Sequence, residues 1–178
     1  MTFEDLIIKT KKELEVVFQA CAAPELNALV DREYDGYNLT PMAALLGIRK
    51  FRKGFFDPQG HLAGSEELEG YNVPVFQTAF HERWMAKPCE ENPHRFGFYT
   101  VRPAEREDID NAYPKALLLN YGRSPRNPWF RVERALRDYL VAVNPGDPDV
   151  LLGKAYIAVG SLRVFSNFFA LRRVPNTG

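Results

Sequence analysis

Cysteine is scarce in this chain. Cys21 and Cys89 are its only two, and they lie far apart, outside any metal-binding or redox spacing. We therefore expect no disulfide framework and a reduced, cytoplasmic protein. Long apolar runs are also missing: runs such as residues 116–119 fall far short of the roughly 20 residues that a membrane-spanning helix needs. The N-terminal residues have neither the basic stretch nor the apolar core of a signal peptide, so we expect no export.

The chain has no excess of charge. Its 23 basic and 23 acidic residues leave a formal net charge of zero, which removes the general attraction to phosphate backbones that a basic chain would have. Arginines cluster within residues 123–137 around Trp129 and Phe130, but Glu133 interrupts the cluster. We interpret this segment as an exposed face with ion pairs and expect no nucleic-acid partner.

Recognisable catalytic and cofactor motifs are also absent from the sequence. It has no Gly-rich phosphate loop and no Gly-x-Ser-x-Gly elbow, and His81-Glu82 lacks the second histidine that a zinc helix carries four residues on. We therefore predict no cofactor and no metal site. The densest set of metal-ligating residue types lies in one proline-flanked loop, which we interpret as a solvated turn: Cys89, Glu90, Glu91 and His94.

An amphipathic helix is the clearest local signal. Apolar residues recur at helical spacing along residues 3–20, with Thr2 as an N-cap and acidic residues in the first turn. We predict one helix there, ended by Pro24, and a second short helical stretch at 25–31. The apolar positions are Phe3, Leu6, Ile7, Leu14, Val17, Phe18 and Cys21.

After residue 33 the sequence changes to short aromatic and β-branched runs separated by turn residues, a pattern typical of strands. A helical turn is predicted at residues 41–46, stopped by Gly47. Residues 57–69 and 103–111 are predicted loops, and residues 122–134 form a third gap that ends in a short helix. The predicted strands are 33–38, 51–56, 73–78, 80–86, 95–102, 115–121, 136–143, 151–159 and 166–173.

Eight or nine antiparallel strands behind one helix favour a mainly β fold, a closed antiparallel barrel, because closure removes exposed edge strands. A β-sandwich is the alternative. We predict a single domain over residues 1–178, with a helical segment at 1–32 and the barrel at 33–174. An eight-stranded barrel has an interior just large enough for side chains or one small ligand.

Polar residues interrupt strands that are otherwise apolar. In 136–143, neither alternate set of side chains is suited to solvent, so both faces are predicted to be partly covered, one of them by the N-terminal helix. Polar groups converging in an apolar cavity are the ordinary form of a small-molecule site, and a buried structural network is the alternative reading. The candidate ligand-binding residues are Tyr37, Trp84, Tyr99, Asn120, Tyr121, Arg137, Tyr139, Lys154, Tyr156, Asn167 and Phe169.

The order of features resembles the calycin-like (lipocalin and fatty-acid-binding-like) barrels, and loosely the bacterial family named for its Gly-x-Trp-x-Gly first strand. The resemblance is carried by the first strand, residues 33–38, by the Gly-Ile-Arg-Lys-Phe run at 47–51, and by the closing strands at 151–156 and 168–173. Tyr34 stands where the family has its tryptophan. The resemblance implies a central cavity for an apolar ligand such as a fatty acid, lipid or isoprenoid. It also implies that Arg172 or Arg173 stacks over Tyr34 or Tyr37.

Three functions follow from these observations as hypotheses. The first is non-enzymatic binding of a small hydrophobic molecule in the barrel. The second is a lyase, cyclase or isomerase acting on such a molecule, with Asp138 or Tyr139 as acid or base and Arg137 or Lys154 holding an anionic group. The third is a protein-interaction module, with a homodimer formed through the N-terminal helix.

Overall fold

The computed structural model describes residues 1–40, 48–60, 66–106 and 108–175. The predicted helical turn at 41–46 and its terminator Gly47 lie outside the described residues. The described strands are β1 (Arg32–Asn38), β2 (Lys50–Phe56), β3 (Leu68–Pro74), β4 (Phe96–Pro103), β5 (Leu117–Asn120), β6 (Leu136–Asn144), β7 (Asp147–Val159) and β8 (Leu162–Arg173).

These strands form a closed antiparallel barrel in which each strand pairs with its sequence neighbours. β8 closes the barrel on β1, with Tyr34 opposite Arg173 and Asn38 opposite Phe169. The predicted mainly β fold and the closed barrel are therefore confirmed, and the architecture is compatible with the calycin-like fold that the sequence resembles.

The N-terminal segment forms two helices where one was predicted, α1 (Phe3–Ile7) and α2 (Lys11–Ala20). The helix is interrupted at Thr10, which is the N-cap of α2. The Thr10 side chain accepts a hydrogen bond from the Glu13 backbone amide, and the Glu13 carboxylate accepts one from the Thr10 backbone amide. This capping box begins a new helix, and it satisfies backbone N–H groups that would bond to carbonyls of the preceding turn in a continuous helix. The predicted second stretch is a short 3-10 turn, Leu26–Ala28. No helix in the described part of the chain is long and apolar enough to cross a membrane.

Two of the nine predicted strands differ strongly from the structure, and β7 and β8 each begin four residues earlier than predicted. The third strand covers Leu68–Pro74 and so begins inside the predicted loop 57–69. Residues 80–86 contribute only an isolated bridge between Ala86 and Val75. Trp84 is buried there without strand pairing, since it packs on Phe3 and its indole N–H donates to the Phe80 carbonyl.

Both faces of the barrel wall are covered over much of its circumference, as predicted. In β6, Leu140 and Ala142 belong to the interior core, whereas Tyr139 and Val141 pack outside with the helices. The outer layer buries Leu14 and Phe18 of α2 and the corresponding face of α1. Lys154 and Arg137, on the outer face of these strands, are accordingly paired with helix α2 and with the loop before β5.

The end of the barrel next to the start of β1 is filled. Leu29 and Tyr34 are fully buried there, and the backbone of Ala23 donates to the Lys115 carbonyl. The predicted arginine stacking takes a different form: Arg172 lies over Phe3 and Trp84, and Arg49 lies over Tyr37. Arg172 points away from the barrel interior because it alternates with the inward-facing Leu171.

Candidate functional site

The other end of the barrel is open. The connections β1–β2, β3–β4, β5–β6 and β7–β8 all lie at this end, because consecutive antiparallel strands alternate direction. The interior core fills the half nearest Tyr34 and leaves a cavity of about 340 Å³ at the open half, which we call the cup. Most of the lining surface of the cup is apolar. Its lining residues are Asn38, Ile48, Lys50, Phe51, Lys53, Asn72, Pro74, Val75, Gln77, Lys87, Phe96, Tyr121, Glu133, Leu136, Asp138, Ala155, Asn167 and Phe169.

A buried lysine forms the floor of the cup. Lys53 Nζ donates to Tyr121 Oη at 2.6 Å and to Asn72 Oδ1 at 3.0 Å, and it lies 3.0 Å from Asp138 Oδ2. The Tyr121 hydroxyl in turn donates to Asp138 at 2.9 Å. The three protons of the ammonium group are thus matched by three acceptors, which is what a buried charge requires.

Aromatic rings surround this ammonium group. Its nitrogen lies 4.6 Å from the ring centre of Tyr99, 5.2 Å from that of Tyr121 and 5.3 Å from that of Phe169. Burial lowers the pKa of Lys53, and the Asp138 carboxylate opposes that shift. Burial raises the pKa of Tyr121 well above its ordinary value, and the charge of Asp138 adds to the shift. Tyr121 is therefore a hydroxyl donor at neutral pH.

The cup wall carries two hydrogen-bond acceptors without a donor. Asn167 Oδ1 and Glu133 Oε2 are buried and have no hydrogen-bond partner within the described residues. The orientation of the Asn167 amide is fixed through a relay: Asn38 Nδ2 donates to the Ile48 carbonyl, and Asn38 Oδ1 accepts from Asn167 Nδ2. The remaining oxygen of Asn167 is therefore an acceptor on the cup wall.

A second polar cluster lies outside the barrel, under helix α2. Lys154 Nζ donates to Glu15 at 2.5 Å and to the Tyr113 hydroxyl, which is 3.1 Å from the Tyr156 hydroxyl. Burial of Glu15 acts to raise its pKa, but the hydrogen bonds from Lys154, Gln19 and Tyr113 outweigh it and lower the pKa. This cluster joins α2 to the barrel wall.

The sequence-predicted site residues are thereby divided between two faces of the wall. Those within the barrel interior are Tyr99, Tyr121, Asp138, Asn167 and Phe169, and all of them except Tyr99 line the cup. Those outside the wall are Tyr37, Trp84, Asn120, Arg137, Tyr139, Lys154 and Tyr156. The structure thus brings the first set together at the cup and keeps the second set away from it.

Three of the outer residues have identifiable surroundings. Arg137 pairs with the buried Asp110, which also accepts from Arg163 at 2.5 Å. Asn120 accepts from the Gly122 amide and so stabilises the turn after β5. Burial raises the pKa of Tyr139 to about 12, so its hydroxyl stays protonated at neutral pH.

Sequence reasoning missed Lys53 and Asn72, the other two residues of the cup floor. Lys53 was hidden in the basic run at residues 49–53, where it resembles a solvated charge. The signal that could have found it is strand alternation, because Lys53 shares one face of β2 with Phe51 and Phe55. A lysine between two inward-facing phenylalanines points into the barrel.

Comparisons with known proteins give no family for this chain. No protein-family model matches it, and a search of curated proteins finds no significant match. Within the described residues, no group of three or more His, Cys, Asp or Glu side chains is arranged to hold a metal ion.

Proposed function

We propose that this protein binds a small, mainly apolar molecule in the cup, and that the molecule presents a hydrogen-bond donor to the wall. The observation that carries the proposal is the cup itself, an open cavity of about 340 Å³ with largely apolar walls at the end of a closed barrel. Ligand sites in proteins have this form, with volumes of roughly 300–1,000 Å³. The calycin-like resemblance of the sequence implies a ligand of the same class.

The polarity of the ligand follows from the hydrogen bonds already made. The Lys53 ammonium group is saturated by Asn72, Tyr121 and Asp138, so the floor has no spare donor for a ligand carboxylate. The unpartnered groups, Asn167 Oδ1 and Glu133 Oε2, are acceptors. A hydroxyl or amine satisfies them, whereas a carboxylate meets the negative charge of Glu133. At the floor and on this buried part of the wall, an isoprenoid alcohol therefore fits better than a fatty acid does, while the lysines of the lining, Lys50 and Lys87, lie near the mouth.

The proposal is tested first by filling the cup. Ala155 lines it, so Ala155→Phe should abolish binding of the neutral probe N-phenyl-1-naphthylamine, while Ala158→Phe, farther along β7 and outside the cup, should bind like the wild type. Native mass spectrometry of the purified protein, beside denaturing extraction, tests for a bound natural ligand. An apo mass combined with no probe binding would refute the proposal.

The donor requirement is tested by competition. Geraniol should displace the probe at least tenfold more effectively than geranic acid at neutral pH, a difference of about 1.4 kcal/mol. Asn167→Leu removes one wall acceptor and Glu133→Gln removes the charge, so the two together should reduce this preference. Preferential displacement by geranic acid would show that the floor, and not the wall, selects the ligand.

A second candidate function is an enzyme that acts on the same ligand. The observation that favours it is the Tyr121 hydroxyl bonded to the Asp138 carboxylate at 2.9 Å, with both groups on the cup lining. A buried carboxylate with a positioned proton donor is a common acid–base arrangement. Unchanged conversion of a bound terpene alcohol by Asp138→Asn and Tyr121→Phe, or no conversion by the wild type, would leave binding as the function.

A further inference from the structure

Exposed apolar side chains are concentrated at the open end of the barrel. Of the fourteen exposed large hydrophobic residues in the described chain, ten lie at this end, six on the connections and four on the adjoining ends of β7 and β8. The other four lie elsewhere in the chain. The ten are Ile48, Phe76, Met85, Trp129, Phe130, Val132, Ile157, Val159, Leu162 and Phe165. Their position places apolar surface around the mouth of the cup.

The first dense group lies on the β5–β6 connection. Residues 128–132 are anchored at both ends beside the start of β4. On one side, Asn127 Oδ1 accepts from the Phe98 backbone amide and Asn127 Nδ2 donates to the Phe98 carbonyl. On the other side, Glu133 lies against Gly97 and lines the cup. Trp129 is 87% exposed and Phe130 is 66% exposed. Two large aromatic side chains are thus presented to solvent at the mouth by an anchored segment.

The second dense group lies on a projecting ribbon. β7 pairs with β6 only as far as Ile157, and β8 pairs with β1 only from Phe169 onward. Among the described residues, the tip of the β7–β8 hairpin, where Val159 pairs with Leu162, therefore pairs with no other strand. Phe165 is 82% exposed and has φ +55°, a backbone conformation that bulky residues rarely adopt. The 3-10 helix Val132–Ala135, which precedes β6, lies against β7, so this ribbon and the β5–β6 connection are neighbours. We call residues 128–135 and 157–165 together the lip.

The lip has an excess of positive charge. It carries Arg131, Arg134 and Arg163 against the single acid Glu133, whose side chain lines the cup. Asp110 beneath the ribbon is shared between Arg163 and Arg137, so one carboxylate neutralises only one of the two guanidinium groups. The lip is therefore locally positive on a chain whose net charge is zero. Arg131 is its exposed guanidinium group, because Arg134 donates to three backbone carbonyls and the Arg163 side chain is 12% exposed.

We propose that the lip docks the open end of the barrel onto an anionic lipid surface. Trp and Phe side chains favour the membrane interface, where their apolar rings enter the acyl boundary, and neighbouring arginines are attracted to anionic headgroups. A second copy of the chain fits the same surface less well, because a two-fold dimer would place two basic lips against each other. Docking at this end would let an apolar ligand pass between lipid and cup without crossing water.

The chain provides its own reporter for the test. It has two tryptophans, of which Trp84 is 2% exposed and Trp129 is on the lip, so a change in tryptophan emission on adding vesicles reports Trp129. Vesicles of phosphatidylcholine with phosphatidylglycerol should shift the emission to the blue and sediment the protein, and pure phosphatidylcholine should do so much less. Raising the salt concentration should weaken the binding, because screening removes its electrostatic part.

Matched variants locate the binding surface. Phe130→Ser combined with Phe165→Ser should reduce vesicle partitioning by about tenfold, and Arg131→Glu should reduce the preference for anionic vesicles. Ile8→Ser combined with Val16→Ser removes exposed apolar groups from the helices and should change neither result. Equal losses in the two double variants, or no binding to anionic vesicles by the wild type, would overturn the proposal. So would a concentration-dependent dimer that the lip variants abolish.

This inference goes beyond the proposed function and can fail separately from it. Ala155→Phe fills the cup but leaves the lip unchanged, so it should lose probe binding and keep vesicle binding. The Phe130→Ser/Phe165→Ser variant should show the reverse. A protein that binds the probe without binding vesicles would refute the docking proposal alone.

Discussion

Replacing Lys53 by methionine should destabilise the fold strongly, although methionine has a similar volume and the site is apolar on most sides. Lys53 and Asp138 are 2% and 4% exposed, respectively, and their charged groups are 3.0 Å apart. Removing the lysine leaves the Asp138 carboxylate buried with the Tyr121 hydroxyl as its remaining partner from the floor. Breaking a buried ion pair in this way costs about 3–5 kcal/mol.

Removing both charges should cost much less than the two single changes together. In Lys53→Met with Asp138→Leu, the Tyr121 hydroxyl and the Asn72 amide still face each other at 3.3 Å, and no charge is left buried. Replacing a buried ion pair by apolar residues of similar volume is often neutral. We therefore expect a coupling energy of at least about 2 kcal/mol in the double-mutant cycle.

Urea denaturation followed by circular dichroism measures all four proteins of this cycle. The variants must keep the wild-type m-value, since a change in m would indicate an altered unfolded or native state. Additive effects, or a single Lys53→Met cost below about 1 kcal/mol, would refute the interpretation of the floor as a buried ion pair. Asn72 and Tyr121 alone would then account for the polar cluster.

Further predictions concern the helices and the barrel wall. The folded-state pKa of Glu15 is lowered from 4.5, so its ion pair with Lys154 stabilises the fold above pH 4.5 and is lost as the pH falls through the folded pKa. Glu15→Gln should therefore lower the free energy of unfolding by about 1 kcal/mol at pH 7 and by much less in acid, as measured by urea titration at several pH values; an equal loss at low pH would contradict this. A Cβ on Gly153 would lie 2.0 Å from the Phe169 ring, so Gly153→Ala should cost about 1–3 kcal/mol. The control Gly146→Asn has open space and φ +75°, which asparagine tolerates, so it should change stability by less than about 0.5 kcal/mol; equal thermal shifts for the two variants would contradict the packing argument.

Local sequence patterns predicted most of the fold. Five of the strands, β1, β2, β4, β5 and β6, begin and end within two residues of their predicted runs, because alternation and turn residues act within a few positions of each other. The break between α1 and α2 was not predicted, although Thr10 and Glu13 have the spacing of a capping box. The segment 80–86 was mispredicted because the burial of Trp84 depends on α1, which lies far away in sequence.

The site was less predictable because inward and outward residues differ by a single position in a strand. Asp138 and Tyr139 are neighbours, yet one lies on the cup floor and the other packs under the helices. Lys154 and Lys53 are both buried lysines, but Lys53 lies on the cup floor and Lys154 lies in the cluster under α2. Which side of the wall each one faces depends on how distant strands pair. A one-residue shift in register would exchange the two sets.

The sequence by itself determined the mainly β architecture, the capped N-terminal helices and the concentration of polar residues in apolar strands. These features depend on interactions within one turn or one strand, which are encoded by neighbouring residues. The tertiary structure alone decided that Lys53, Asn72, Tyr121 and Asp138 meet, that one barrel end is filled by residues around Leu29, and that the other remains open. Those outcomes depend on barrel closure, which fixes strand register and therefore which side chains share the enclosed space.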